Sequence, residues 1–188
     1  TRIGPGVSMT YTYWFKNNLD SVRYKEYGFP TKENYINRFV SDGGSNIYQV
    51  GYVDSSYTNT DILLIKIDTS GNEIWKKKIG LPNCDEIGWS IKMSNDNKLL
   101  ISGNKRIHNN QSTNGAYILK ADTNGVIIWD KYFPSNYGLA ATRLVEKTNG
   151  DIIAIAGRGY GSSISRYELI KLDVMGNTIF DKVYGPMM

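Results

Sequence analysis

The chain has 188 residues, 40% hydrophobic and 21% charged, which is enough apolar material for one ordinary domain and too much for wholesale disorder. Its net charge of +4 is spread along the sequence, with Lys76-Lys77-Lys78 as the only basic run, so no nucleic-acid partner is expected. A single cysteine, Cys84, excludes an internal disulfide or a cysteine-rich zinc site, and no apolar run approaches the roughly 18 residues of a membrane-spanning helix.

The chain starts at Thr1, without an initiator Met, which suits a processed or truncated product. The first predicted element, residues 9–28, reads as two strands around Lys16-Asn17-Asn18 and Tyr24, closed by Gly28. These match the last two strands of the units that follow, with Arg2-Ile3-Gly4 as the tail of a preceding strand. Residues 34–80 form the first complete unit. A strand reaches the turn Ser41-Asp42-Gly43-Gly44, a second strand ends at Gly51, and a polar loop runs from Tyr52 to Thr60. A third strand then leads through Lys66-Ile67-Asp68 to the turn Thr69-Ser70-Gly71, and a fourth runs from Trp75 to Gly80. Turns rich in Asn, Asp and Gly between apolar runs are hairpin signals, because Gly and Asn tolerate positive φ.

Residues 85–133 repeat this plan, with a turn at Asn95-Asp96-Asn97, Gly103, a loop from Asn104 to Gly115, and Lys120-Ala121-Asp122 leading through Gly125 to Trp129. Residues 137–185 repeat it again, with Thr148-Asn149-Gly150-Asp151, Gly157, a loop from Arg158 to Arg166, and Lys171-Leu172-Asp173 leading through Gly176 to Phe180. Four antiparallel strands in a repeat of about 50 residues is the signature of a β-propeller blade. The expected fold is therefore all-β: a single propeller domain or fragment, an incomplete ring of about 3.5 blades. Bare blade faces invite association, so the preferred reading is a piece of a larger propeller; an assembling subunit and an unusual closure are the alternatives. Two copies do not simply complete one another, because both half blades would supply the same two strands.

The Asp-x-x-Gly-Asn-x-x-Trp pattern from Asp68 to Trp75 is echoed from Asp122 to Trp129 and from Asp173 to Phe180. It resembles a family of bacterial β-propeller repeats common in large secreted and surface proteins of Bacteroidetes-like bacteria. The resemblance covers about residues 9–185. It implies a secreted or outer-membrane-associated module and leaves the activity open, since such repeats accompany many activities. Quinone-type propellers and sialidase Asp-boxes space these residues differently, so no cofactor and no metal are expected.

Several residues are candidates for function. Lys66/Asp68, Lys120/Asp122 and Lys171/Asp173 read either as a ring of charges or as turn acceptors with shielding lysines. Trp75, Trp129 and Phe180, with Tyr24 in the degenerate copy, read as packing between blades rather than sugar platforms. Trp14 and Trp89 fall outside that series and are the better ligand contacts. Arg38, Lys92 and Arg143 recur on the first, innermost strand, where a basic channel lining attracts anions such as acidic glycans or phosphates. His108 is the sole histidine, which removes standard zinc sites and most general-base schemes. Gly157-Arg158-Gly159-Tyr160-Gly161 does not lead into a helix and reads as a blade loop.

Together these features describe a non-catalytic module presenting the loops between second and third strands to a protein or glycan ligand. Further propeller blades or a partner subunit would complete the ring. The alternatives are a propeller enzyme whose catalytic residues lie elsewhere and a structural subunit of an envelope assembly.

Overall fold

The repeat folds as it reads because its turns are chemically self-sufficient. The computed structural model describes residues 10–15, 22–30, 32–56, 59–108, 113–135, 139–158 and 167–185, with only the backbone at 13–15, 22–23, 55–56, 113, 139, 142 and 158. In the turns, Asp68 Oδ1 accepts the Asn72 amide at 2.7 Å, Asp122 Oδ1 accepts those of Asn124 and Val126, and Asp173 Oδ1 accepts those of Met175 and Asn177. The glycines that follow, Gly71, Gly125 and Gly176, take left-handed φ of 78°, 73° and 82°, which an L side chain adopts only with strain. Hydrogen bonds to each ionised carboxylate hold all three acids below the ordinary aspartate range.

The described residues form fourteen strands and no helix. Strands β1 (Thr10–Phe15) and β2 (Val22–Tyr27) pair as a half blade. The first blade comprises β3 (Asn34–Ser41), β4 (Asn46–Ser56), β5 (Asn59–Asp68) and β6 (Glu73–Ile79). The second comprises β7 (Cys84–Met93), β8 (Leu99–Ile107), β9 (Thr113–Ala121) and β10 (Ile127–Ser135). The third comprises β11 (Leu139–Glu146), β12 (Ile152–Arg158), β13 (Tyr167–Leu172) and β14 (Thr178–Tyr184). Each is a four-stranded antiparallel sheet in sequence order, as expected for propeller blades.

The blades stack by one rule. Strand β7 packs on β3, β4 and β5, and β11 packs on β7, β8 and β9. Strand β1 packs on β3, so it stands to the first blade as β5 stands to the second and β9 to the third. The N-terminal pair is therefore the outer half of a blade. Between the first and second blades, Tyr48, Val50, Ile62 and Leu64 meet Ile91, Leu99, Ile101 and Leu119. Between the second and third, Leu100, Ala116 and Ile118 meet Ile152, Ala154, Ile170 and Leu172. Each fully buried aliphatic side chain contributes about 1.5–3 kcal/mol, so these two layers supply most of the cohesion. Tyr27 of the half blade packs with Leu63, Ile65 and Ile67, and Thr12 Oγ1 accepts from Gln49 Nε2 at 2.7 Å.

Two local features depart from the sequence reading. Gly51 and Gly103 lie within β4 and β8 instead of ending them, each opposite a bulge in the first strand. A Cβ on either would strike the Tyr35 or Ile87 carbonyl oxygen at 1.7 or 1.9 Å. In the third blade that place belongs to Ala156, with Gly157 one residue further on. Tyr24 also does not share the place of Trp75: it is exposed, and Tyr27 instead reaches the next turn, its hydroxyl donating to Gly71 O at 2.7 Å.

Candidate functional site

The connections between second and third strands leave the three blades at one end. They are shorter than the polar composition suggests, because β4 runs to Ser56 and β5 starts at Asn59, while β8 runs to Ile107 and β9 starts at Thr113. Asn104 and Lys105 stay in the ladder, paired with Ala116 and Gly115, because tertiary partners satisfy their polar ends. Arg158 closes β12, and residues 159–166 of the third predicted loop, like 57–58 and 109–112, lie outside the described residues.

A polar network joins the first two blades at this end. Asp85 Oδ1 accepts the Thr60 amide at 3.0 Å, and Asp85 Oδ2 lies 2.7 Å from His108 Nε2. The His108 amide donates to Asn83 O at 2.8 Å, and the Cys84 amide donates to Asn59 Oδ1 at 3.2 Å. Asn59 Nδ2 in turn donates to Asp61 Oδ1, and Thr60 Oγ1 to Asp54 Oδ1. Asn59 and Thr60, which follow the first loop, are thus tied across the blade boundary to Cys84 and Asp85, and Asp85 in turn meets His108 at the entry to the second loop. Asp85 and His108 remain partly exposed, so their outer edges face solvent.

Beneath this rim lies a buried ion pair. Glu86, 1% exposed, meets Lys105 Nζ at 3.1 Å, and that ammonium lies 5.2 Å from the centre of the Tyr117 ring. Burial raises the Glu86 carboxyl, and the hydrogen bond and charge of Lys105 pull it back. Tyr117 donates to Asp130 Oδ2 at 3.0 Å, and burial, reinforced by the Asp130 charge, pushes its hydroxyl far up. Burial also raises the Cys84 thiol, which makes it a structural side chain and a poor nucleophile. Chemically, this end offers fixed carboxylate acceptors, an imidazole and rigid loop roots. Among the described residues no three metal-ligating side chains converge.

The inner strands hold the remaining predicted residues. Arg38 and Arg143 occupy one register position, each the first residue after the bulge in its strand, and both are exposed. In the second blade Ser90 takes that position, and Lys92 lies two residues further along β7, half-buried opposite Leu100. Trp89 is itself the bulge residue of β7, and its Nε1 donates to Asn104 Oδ1 at 2.6 Å. Asn37 takes the bulge place in β3 and donates to Gly88 O across the blade boundary at 2.8 Å. Trp14 lies on β1 opposite Arg23, and its side chain is outside the described residues.

The charged repeat resolves into turn chemistry. Lys120 is buried and meets Asp96 at 2.9 Å, and Lys171 meets Asp151 at 2.8 Å, so in the second and third blades the third-strand lysine clamps the first hairpin turn of its own blade, while Lys66 of the first blade lies 5.3 Å from the centre of the Tyr48 ring. Sequence reasoning missed the Asp85–His108 and Glu86–Lys105 pairs. Their one signal is the polar run Cys84-Asp85-Glu86 opposite Lys105-Arg106-Ile107, which becomes informative only once the ladder register is known. No family model matches the chain, and no curated protein matches it.

Proposed function

We propose that the chain is a non-catalytic β-propeller binding module of a secreted or outer-membrane-associated bacterial protein, and that its second-to-third-strand end takes a protein or glycan ligand. The observation that carries this reading is the cross-blade network of Thr60, Asp85 and His108. It holds the roots of neighbouring connections rigid on a repeated frame, while the connections themselves differ from blade to blade. Preorganised loop roots lower the ordering cost of binding. Asp54, Asp85 and His108 supply hydrogen-bonding edges suited to sugar hydroxyls or a polar peptide segment.

The test is a glycan array probed with the labelled chain and with a His108→Ala/Asp85→Asn variant of unchanged strand content. Binding that the variant loses at least tenfold supports the reading. A blank array, or binding indifferent to the variant, overturns the glycan form of it.

A second reading concerns charge. Arg38 and Arg143 share one register position on inner strands, which favours anionic ligands along the inner face. Acidic glycans should then bind with steep salt dependence, and an Arg38→Ser/Arg143→Ser variant should lose that dependence.

A further inference from the structure

The outward face of the third blade carries apolar side chains at positions the first blade buries. Register places Ile153, Ile155, Leu169, Tyr167 and Tyr184 where the first blade has Tyr48, Val50, Leu64, Ile62 and Ile79. Beneath the second blade that first-blade set is at most 8% exposed. In the third blade Ile155 is 48%, Tyr167 54% and Tyr184 52% exposed, and Val145, on the same face, is 49% exposed.

A second feature says what fits there. The fourth-strand aromatic of each blade lies on the left-handed turn glycine of the next. A Cβ on Gly125 would meet the Trp75 ring at 3.1 Å, and one on Gly176 would meet the Trp129 ring at 2.7 Å. Phe180 is third in this series, and Lys182 lies 5.6 Å from its ring centre just as Lys77 lies 5.7 Å from that of Trp75. Among the described residues, every third-to-fourth-strand turn is already engaged: Gly71 and Asn72 by Tyr27 and Lys25, Gly125 by Trp75, Gly176 by Trp129. The equivalent connection of the half blade, residues 16–21, contains no glycine. A second copy of this chain therefore offers Phe180 no unengaged turn glycine, and among the described residues its half blade has no first strand of the kind that crosses the face at both interfaces within the chain.

We infer that the outward face of β11–β14 docks one further four-stranded antiparallel sheet, supplied from beyond residues 10–185. Its first strand crosses β11, β12 and β13, and its outer hairpin sets a left-handed glycine against Phe180. The occupant follows from continuity, because the two blade interfaces within the chain are built by this same rule. The inference rests on reading the chain as a module of a larger propeller and is independent of the ligand.

The test extends the full chain by repeating residues 81–135 directly after Gly185, in place of residues 186–188. The second blade is the chosen insert because it already packs on a first-blade face of similar aliphatic bulk. Phe180→Ala is made in both the extended and the parent chain, and urea unfolding is followed by far-UV circular dichroism. The expected result is one cooperative transition. Its midpoint falls with Phe180→Ala at least half as far as Trp129→Ala lowers that of the parent, while Phe180→Ala barely moves the parent. Equal small shifts in both backgrounds, or an added sheet that unfolds in a separate early transition, overturn the inference. So does a parent chain that light scattering finds dimeric and Phe180→Glu makes monomeric, since the face then belongs to a second copy. None of these readouts depends on a glycan array, so the docking and ligand readings fail separately.

Discussion

Two glycines of nearly equal backbone conformation separate turn strain from blade packing. Gly43 and Gly176 have φ of 78° and 82°. A Cβ at Gly43 meets nothing within 4 Å, whereas one at Gly176 lies 2.7 Å from Trp129 Cδ2 and 3.0 Å from Cε2 and Cε3. Gly43→Ala therefore isolates the left-handed penalty, about 1–2 kcal/mol, offset by about 0.4–1 kcal/mol of lost unfolded-state freedom. Gly176→Ala carries the same balance plus an overpacking cost of about 1–3 kcal/mol, since an indole held between blades cannot retreat freely. With a urea slope of about 1–3 kcal/mol per molar, the midpoints should differ by about 1 M. Gly125→Ala belongs between them, because its contacts at 3.1 Å are the rim of Trp75 and the flexible Lys77 stem. Circular dichroism in urea ranks the three variants. Equal midpoints for Gly43→Ala and Gly176→Ala would refute the idea that the indole rests on the turn. So would a penalty for Gly176→Ala that persists undiminished in a Trp129→Ala background, where the clash is gone.

Other predictions concern charge. Glu168 is buried beside Asp181, and burial, then the hydrogen bond and charge of Asp181, raise its carboxyl from 4.5 to about 8. The folded state thus keeps a proton that the unfolded chain releases, so this contribution is complete below 4.5 and is lost as pH rises toward 8. Glu168→Gln should unfold at a higher temperature than the parent at pH 9 and lose that advantage at pH 4; parallel profiles would sink the assignment. The turn acids behave oppositely: Asp68, Asp122 and Asp173 are held below 3.8, so their contribution is present above that value and disappears as pH falls through the lowered one. Replacing all three by Asn should flatten the acid limb of the thermal stability profile while leaving the limb above pH 7 in place. Lys105→Ala strands Glu86 between blades and should cost about 3–5 kcal/mol, with Glu86→Leu in the same chain recovering part of it. A loss under about 1 kcal/mol in urea unfolding would show the pair to be solvated.

What was legible in the sequence was whatever is encoded within one hairpin. Asp68, Gly71 and their repeats declare a turn because the carboxylate and the glycine act on neighbours in the chain, so strand order and blade size followed directly. Recurrence alone placed Trp75 and Trp129 between blades. Errors arose where the partner is distant. Asn104 and Lys105 read as loop because nothing local reveals that Trp89 and Glu86 will satisfy them inside a strand. The inner-strand bulges were equally hidden: with Trp89 as the extra residue, Ser90 rather than Lys92 falls in register with Arg38 and Arg143. The candidate site suffered most, since Asp85 and His108 are separated along the chain and meet only through the β7–β8 ladder.

The third strands differ from blade to blade in how far their burial follows their composition. A strand covered on one face alone should alternate apolar and polar residues, while one covered on both should not. Strand β5 runs Ile62-Leu63-Leu64-Ile65 and is buried throughout that run, and β9 is buried from Ala116 to Ala121. Strand β13 keeps the composition of a doubly covered strand, with Leu169 and Ile170 adjacent, yet its burial alternates. Composition and burial therefore disagree in the third blade and agree in the first two. The difference tracks the neighbour, because β11 covers one face of the second blade where nothing among the described residues covers the matching face of the third. The half blade shows the same mismatch from the other side, with Phe39 on β3 exposed where an inner pair of strands would lie against it. Both mismatches fall at blade boundaries, and both disappear if every blade is flanked as the second one is.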